Sequence, residues 1–268
     1  MIGRLLLGGP FVVALFTACG PPSDSGDLIF VDGRAVTAVG DSVLAITRQG
    51  QSSIILRDRR TGAVYTRDSE ALHSPHHVQE RDGMWYVSDV DDEGAWIVIF
   101  DAQWEVVDRL SVDTLATAPH QFAVLPDGRI VVEGRNARLV AIDGDSLHTF
   151  ALFDPATRTG LVVAALGGVI HAVPDRYITL YNANGNVRWR LPWKWHDEVF
   201  VSDLSVDAHG RIHMLASEGG ARSRFVCFTL SPTTGEVVRW SEPGPAATFL
   251  ATPLGEIVPD SVDHWLRR

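Results

Sequence analysis

The sequence predicts an all-β domain, a six-bladed β-propeller whose last blade is closed by a strand from the N-terminal side. A turn glycine followed by a β-rich run recurs six times, at Gly40, Gly83, Gly128, Gly168, Gly210 and Gly255, at intervals of 43, 45, 40, 42 and 45 residues. Each unit continues through a third run and a polar turn into a fourth, as in residues 95–100, the turn Asp101-Ala102-Gln103, and residues 104–110. Four strands in ~40 residues is the period of a propeller blade, and no segment of helical periodicity competes with it.

The turns carry hairpin chemistry. Asp82-Gly83, Asp127-Gly128 and His209-Gly210 place a polar residue beside the glycine, and short β-prone runs follow at 84–87, 129–132 and 211–215. The final unit, 247–268, is too short for four strands, whereas residues 27–32 supply an extra strand ahead of the first unit. Joined, the two complete one blade and remove the open sheet edges that invite aggregation.

Residues 1–18 read as an export signal. Arg4 gives the positive start, residues 5–16 an apolar run, and Thr17-Ala18 the small residues before a cut. The run is shorter than the ~20 apolar residues of a spanning helix. The segment Leu15-Phe16-Thr17-Ala18-Cys19 resembles the lipobox of bacterial lipoproteins, with Phe16 where an aliphatic residue is usual. The resemblance implies that Cys19 is lipidated and becomes the mature N-terminus. The other cysteine, Cys227, is then left without a disulfide partner. Residues 19–27, rich in Gly, Pro, Ser and Asp, suit a flexible tether, and residues 28–268 form the propeller domain.

With 33 acidic against 23 basic residues the formal charge is -10, and no basic cluster stands out. Nucleic-acid binding, which depends on basic groups displacing counterions, is disfavoured. An apolar share of 46% with 21% charged residues is that of a globular domain, which excludes disorder and multi-pass membrane classes. The expected partners are the membrane, through the lipid on Cys19 and with the outer membrane favoured, and a small molecule, peptide or envelope protein.

Units 74–110 and 118–150, with a proline opening the first strand, a turn Asp-Gly and the strand Trp85-Tyr86-Val87-Ser88-Asp89, resemble NHL repeats. The turns leading into Val237-Val238-Arg239-Trp240 and Val187-Arg188-Trp189 are similar to those of quinoprotein-like propellers. Loops between second and third strands and the starts of first strands share one face of such a ring, where binding concentrates. Ser74-Pro75-His76-His77 and Ala118-Pro119-His120-Gln121 open consecutive units there, and Trp193-Lys194-Trp195-His196 precedes the fifth.

His76, His77, His120, Trp193, Trp195 and His196 are therefore the candidate ligand-binding residues, with Lys194 beside them. Trp193 and Trp195 share one side of an extended segment, where they stack a ligand or pack between blades. Neighbouring His76 and His120, with carboxylates at hand, have the donors for a divalent metal such as zinc or calcium, which would activate a water. The peptidyl-hydroxyglycine lyases, which this pattern resembles, hold zinc with histidines at matching strand starts, implying a metal-dependent lyase or hydrolase. Their third histidine has no counterpart near Arg158, Ser202 or Thr248. The loop 89–94 mimics the opening of a calcium loop through Asp89, Asp91, Glu93 and Gly94, but Phe100 stands where the closing glutamate belongs, so it reads as a solvated turn. No nucleophile elbow or phosphate-cradling glycine loop is visible. The sequence reading is of a tethered binding module, with the metalloenzyme as its rival.

Overall fold

The computed structural model describes residues 30–245 apart from 32–33, 40–42, 49, 59, 114, 116–120, 155–159, 174–175, 193–198, 207–209, 219–223 and 241–243. Among the described residues there is no helix, and the strands fall into five antiparallel sheets.

The first sheet runs in the order β1 (Phe30–Val31), β2 (Arg34–Val39), β3 (Val43–Arg48), β4 (Ser53–Asp58), β5 (Val64–Asp68). The second comprises β6 (Pro75–Arg81), β7 (Met84–Asp91), β8 (Gly94–Phe100) and β9 (Val106–Ser111). The third has β10 (Ala123–Val124), β11 (Ile130–Gly134), β12 (Arg138–Asp143) and β13 (Ser146–Leu152). The fourth has β14 (Leu161–Ala165), β15 (Gly168–Val173), β16 (Tyr177–Tyr181) and β17 (Val187–Pro192). The fifth has β18 (Val199–Val206), β19 (Ile212–Glu218), β20 (Arg224–Leu230) and β21 (Val237–Trp240), with β22 (Gly244–Pro245) also paired to β20.

Each sheet is a meander of sequential strands, the order that short hairpin turns enforce. The sheets pack in series, β2 on β6, β6 on β10, β10 on β14 and β14 on β18. Four apolar clusters fill the spaces between successive sheets. Ile54, Val87 and Phe100 join the first to the second, Ile97, Phe122 and Val132 the second to the third, Leu139, Val169 and Tyr181 the third to the fourth, and Ile170, Ile178 and Ile212 the fourth to the fifth. A sheet sandwiched on both faces needs unbroken apolar strands, and every residue of β15 and β16 is buried. The fourth strand of a unit lies outermost, and all of β5 is exposed.

Gly83, Gly128 and Gly210 take the left-handed backbone expected of turn glycines, with φ of 81°, 87° and 74°. In the fourth unit that role falls to Gly167, not Gly168. Gly168 opens β15, where a Cβ would stand 2.0 Å from the Tyr181 carbonyl oxygen. The strand expected from Trp104 begins at Val106. Asp101 Oδ1 accepts from the backbone N–H of Gln103 and Glu105 (both 2.9 Å), holding Trp104 in the turn at φ 70° with its ring stacked 4.4 Å from that of Phe100.

The N-terminal strand is present as β1, but among the described residues it extends the first sheet, paired to β2 through Phe30 with Ala35 and Val31 with Arg34, rather than standing in a separate closing blade. The sixth unit around Gly255, with which it was expected to close a blade, lies outside the described residues, as do the signal, Cys19 and the tether.

Candidate functional site

The second sheet gathers charge at one end. Leu72, fully buried, anchors the loop between β5 and β6, and the backbone N–H groups of His73 and Ser74 then meet the carboxylate of Asp89 on β7. His73 N–H donates to both Asp89 oxygens at 3.0 Å and Ser74 N–H to Oδ1 at 2.7 Å. Val90 N–H returns to the Ser74 carbonyl at 3.3 Å. The loop before a first strand is thereby fixed to the second strand, as the propeller arrangement expects.

Asp91 closes the next turn. Its Oδ1 accepts from Glu93 N–H (2.8 Å), Gly94 N–H (3.0 Å) and the Trp96 indole N–H (2.9 Å), while Oδ2 meets the Arg109 guanidinium. That guanidinium lies 3.9 Å over the Trp96 ring, a cation–π contact. Residues 89–94 are therefore a tight hairpin capped by its own aspartate, with Asp92 and Glu93 exposed.

Burial pushes the Asp89 carboxyl above its ordinary value and the adjacent Asp91 charge adds to this, against the His73 and Ser74 N–H groups and the His73 ring. For Asp91 burial acts upward too, but the Trp96, Glu93 and Gly94 donors and the Arg109 charge outweigh it and hold the group low.

His73, Asp89 and Asp91 offer one ligand atom each within 4.8 Å of one another, the one such grouping among the described residues. His73 Nδ1 stands 3.8 Å from Asp89 and 3.9 Å from Asp91. Arg109 already balances Asp91, and Asp89 is turned to backbone donors, so the arrangement as built is a charge-matched clasp. It presents the His73 side chain, 54% exposed, and the Arg109 side chain, 31% exposed, at the surface.

The two histidines of this strand separate. His76 is the extra residue of a bulge, since Pro75 pairs with Asp89 and His77 with Ser88. It is half-buried, and its carbonyl accepts from Thr47 Oγ1 at 3.0 Å. His77 does not line the channel mouth: it is buried, its ring set edge-on 5.2 Å from that of Phe122 in the next sheet, and desolvation pushes its pKa down from 6.5 to about 4. His120, Trp193, Lys194, Trp195 and His196 lie outside the described residues.

Two polar bridges between sheets were not anticipated. Gln79 donates to the Phe122 carbonyl at 2.7 Å and accepts from Val124 N–H at 2.9 Å, replacing backbone pairing between the second and third sheets. Glu133 on β11 and fully buried His171 on β15 join the third to the fourth. A lone histidine in the otherwise apolar run 168–173 was the available signal for the latter.

No family model matches the chain, and no curated protein matches it. Solved structures do. A protein of unknown function from Bacteroides caccae is 13% identical over 83% of this chain and 87% of its own, with a TM-score of 0.55. The β-propeller domain of Cps50 (Swd1) from Myceliophteria thermophila is 10% identical over 85% and 75%, with a TM-score of 0.51. A quinonprotein alcohol dehydrogenase-like protein from Bacteroides thetaiotaomicron is 15% identical over 86% and 69%, also at 0.51. At such identities the likeness concerns the fold, and the fold is a β-propeller.

Proposed function

We propose that this chain is a lipid-tethered, extracytoplasmic, six-bladed propeller of NHL type that serves as a binding module, taking its ligand at the face built by the β5–β6 loop and the β7–β8 turn. The observation that carries the reading is the clasp itself. Internal donors fix both carboxylates, which preorganises the surface and leaves the His73 imidazole and the Trp96-stacked Arg109 facing outward beside exposed Asp92 and Glu93. A rim of both charges suits a peptide segment better than a simple anion or cation. The tether rests on the export signal and on Cys19.

Native mass spectrometry of the protein extracted from its own membranes tests this. A co-retained peptide that is lost when His73 and Arg109 are changed to alanine supports the module. Metal-dependent turnover of ester, lactone or peptide substrates by the purified protein would overturn it.

A second reading, a metal-dependent lyase or hydrolase using His76 and His120, is favoured by the nearness of His73, Asp89 and Asp91 to that strand start. A zinc or calcium ion on those three residues would have to displace Arg109 from Asp91. Elemental analysis of chelator-free protein beside the His76→Ala/His120→Ala variant decides: a stoichiometric metal lost in the variant favours the enzyme, a metal-free protein removes it.

A further inference from the structure

The outer strand of the first sheet differs from its counterparts. β9, β13, β17 and β21 each join the strand inside them across a register shift. Such bulges twist an outer strand and disrupt the ladder it would offer to another chain. β5 is regular: it runs in unbroken register from Arg57 with Val64 to Ser53 with Asp68. Among the described residues it ends its sheet, and all five of its residues are exposed, Val64 at 43% and Tyr65 at 53%.

The hydrogen bonds at its two ends fix which way its backbone faces. Asp58 N–H donates to the Ala63 carbonyl at 2.9 Å, and Ser69 N–H donates to the Ser52 carbonyl at 3.0 Å. Pairing alternates along an antiparallel ladder, so Tyr65 and Arg67 turn their N–H and C=O groups to β4. Val64, Thr66 and Asp68 turn theirs outward, away from the sheet. A regular, outward-facing row of this kind is what an added strand pairs with.

We infer that β5 pairs antiparallel with β5 of a second copy of this chain, about a two-fold axis at Thr66. The strand Val64-Tyr65-Thr66-Arg67-Asp68 is complementary to itself in that register. The outward groups of Val64, Thr66 and Asp68 in one copy meet those of Asp68, Thr66 and Val64 in the other. Thr66 faces Thr66, a favourable cross-strand pair, and Arg67 faces Tyr65, a guanidinium against an aromatic ring. Neighbouring registers are worse. Centring on Arg67 sets two guanidinium groups opposite each other, and centring on Tyr65 draws Gly62, at φ 72° in the turn, into the ladder. A two-fold pair uses the same edge on both copies, so it closes at the dimer instead of propagating. β5 contributes no residue to the His73–Arg109 clasp, so the inference stands or falls separately from ligand binding there.

Cysteine trapping in the full-length protein tests the inference. Facing residues of a hydrogen-bonded antiparallel pair have Cα atoms about 5.5 Å apart, within disulfide reach, whereas the two copies of Val64 would stand about 14 Å apart. Oxidation of cells expressing Thr66→Cys with a membrane-permeant oxidant is expected to give a homodimer linked through position 66, identified by mass spectrometry. The yield should exceed that of the exposed control Val64→Cys at least tenfold. In sedimentation equilibrium, with detergent micelles in large excess over protein, the wild type should dimerise. Thr66→Lys sets like charges across the axis and should be monomeric at the same concentration, with its circular dichroism unchanged. A monomeric wild type, equal cross-linking at the two positions, or a disulfide from position 66 to a different protein would overturn the proposal.

Discussion

His171 Nε2–H donates to Glu133 Oε2 at 2.8 Å, tying the second strand of one sheet to the second strand of the next within a largely apolar boundary. The same carboxylate oxygen accepts Gly160 N–H at 2.6 Å, and Phe153 sets its ring against the imidazole at 4.5 Å. One oxygen therefore fixes two sheets and the loop that opens β14.

Removing that acceptor strands a fully buried donor on a histidine whose Nδ1 already lacks a partner. Glu133→Ala is expected to cost about 1–3 kcal/mol in urea denaturation, and Glu133→Gln less. Gly160→Ala would press a Cβ to 2.4 Å from Glu133 Oε2 and 2.5 Å from His171 Nε2, so it should destabilise as well. The two alanine changes act on one contact, and their costs combined should fall short of additive.

His77 makes stability fall in mild acid. Its folded pKa of about 4 lies below the ordinary 6.5, so between those values the unfolded chain binds the extra proton. Stability from this group is complete above pH 6.5 and declines as pH falls toward 4, by up to about 3 kcal/mol. Denaturation of His77→Gln between pH 7 and 4 should show a flatter dependence than wild type. An unchanged slope would assign the acid sensitivity elsewhere.

The clasp predicts opposite slopes for its two aspartates at lower pH. Asp91, held low, contributes stability that is present above 3.8 and lost as pH falls through its folded value. Asp89, pushed up, is protonated more readily in the folded chain and so disfavours the folded state as pH rises past 3.8. Asp91→Ala should cost about 2–3 kcal/mol by loss of charge-assisted hydrogen bonds, whereas Asp91→Asn retains an acceptor for the turn and should cost less. Gly94→Ala, at φ 148° and with Asp113 Cβ 3.1 Å from the added methyl, should destabilise the same turn.

The proposed lipidation of Cys19 gives a prediction in cells. Protein labelled with an alkynyl fatty acid should carry the label and fractionate with membranes, and Cys19→Ala should lose both properties. A Cys19→Ala protein still bearing the label would remove Cys19 as the lipid site.

The sequence by itself determined the β-propeller. Period is a local property: Gly83, Gly128 and Gly210 recur because a hairpin needs a left-handed residue at its turn, and the runs after them are β-prone wherever they pack. It determined also that the approach to β6 and the turn after β7 meet, because strand order fixes which loops share a face. What it did not determine was which side chains face each other across sheets. A bulge at His76 sent His77 inward onto Phe122 instead of to the channel mouth, and no spacing rule announces a one-residue slip. The approach of Gln79 to Phe122 and of Glu133 to His171 spans 43 and 38 residues of chain. Such pairs depend on the rotation between neighbouring sheets and on what packing leaves unfilled. Only the tertiary structure sets those quantities, because they arise from the packing of successive sheets rather than from any one strand.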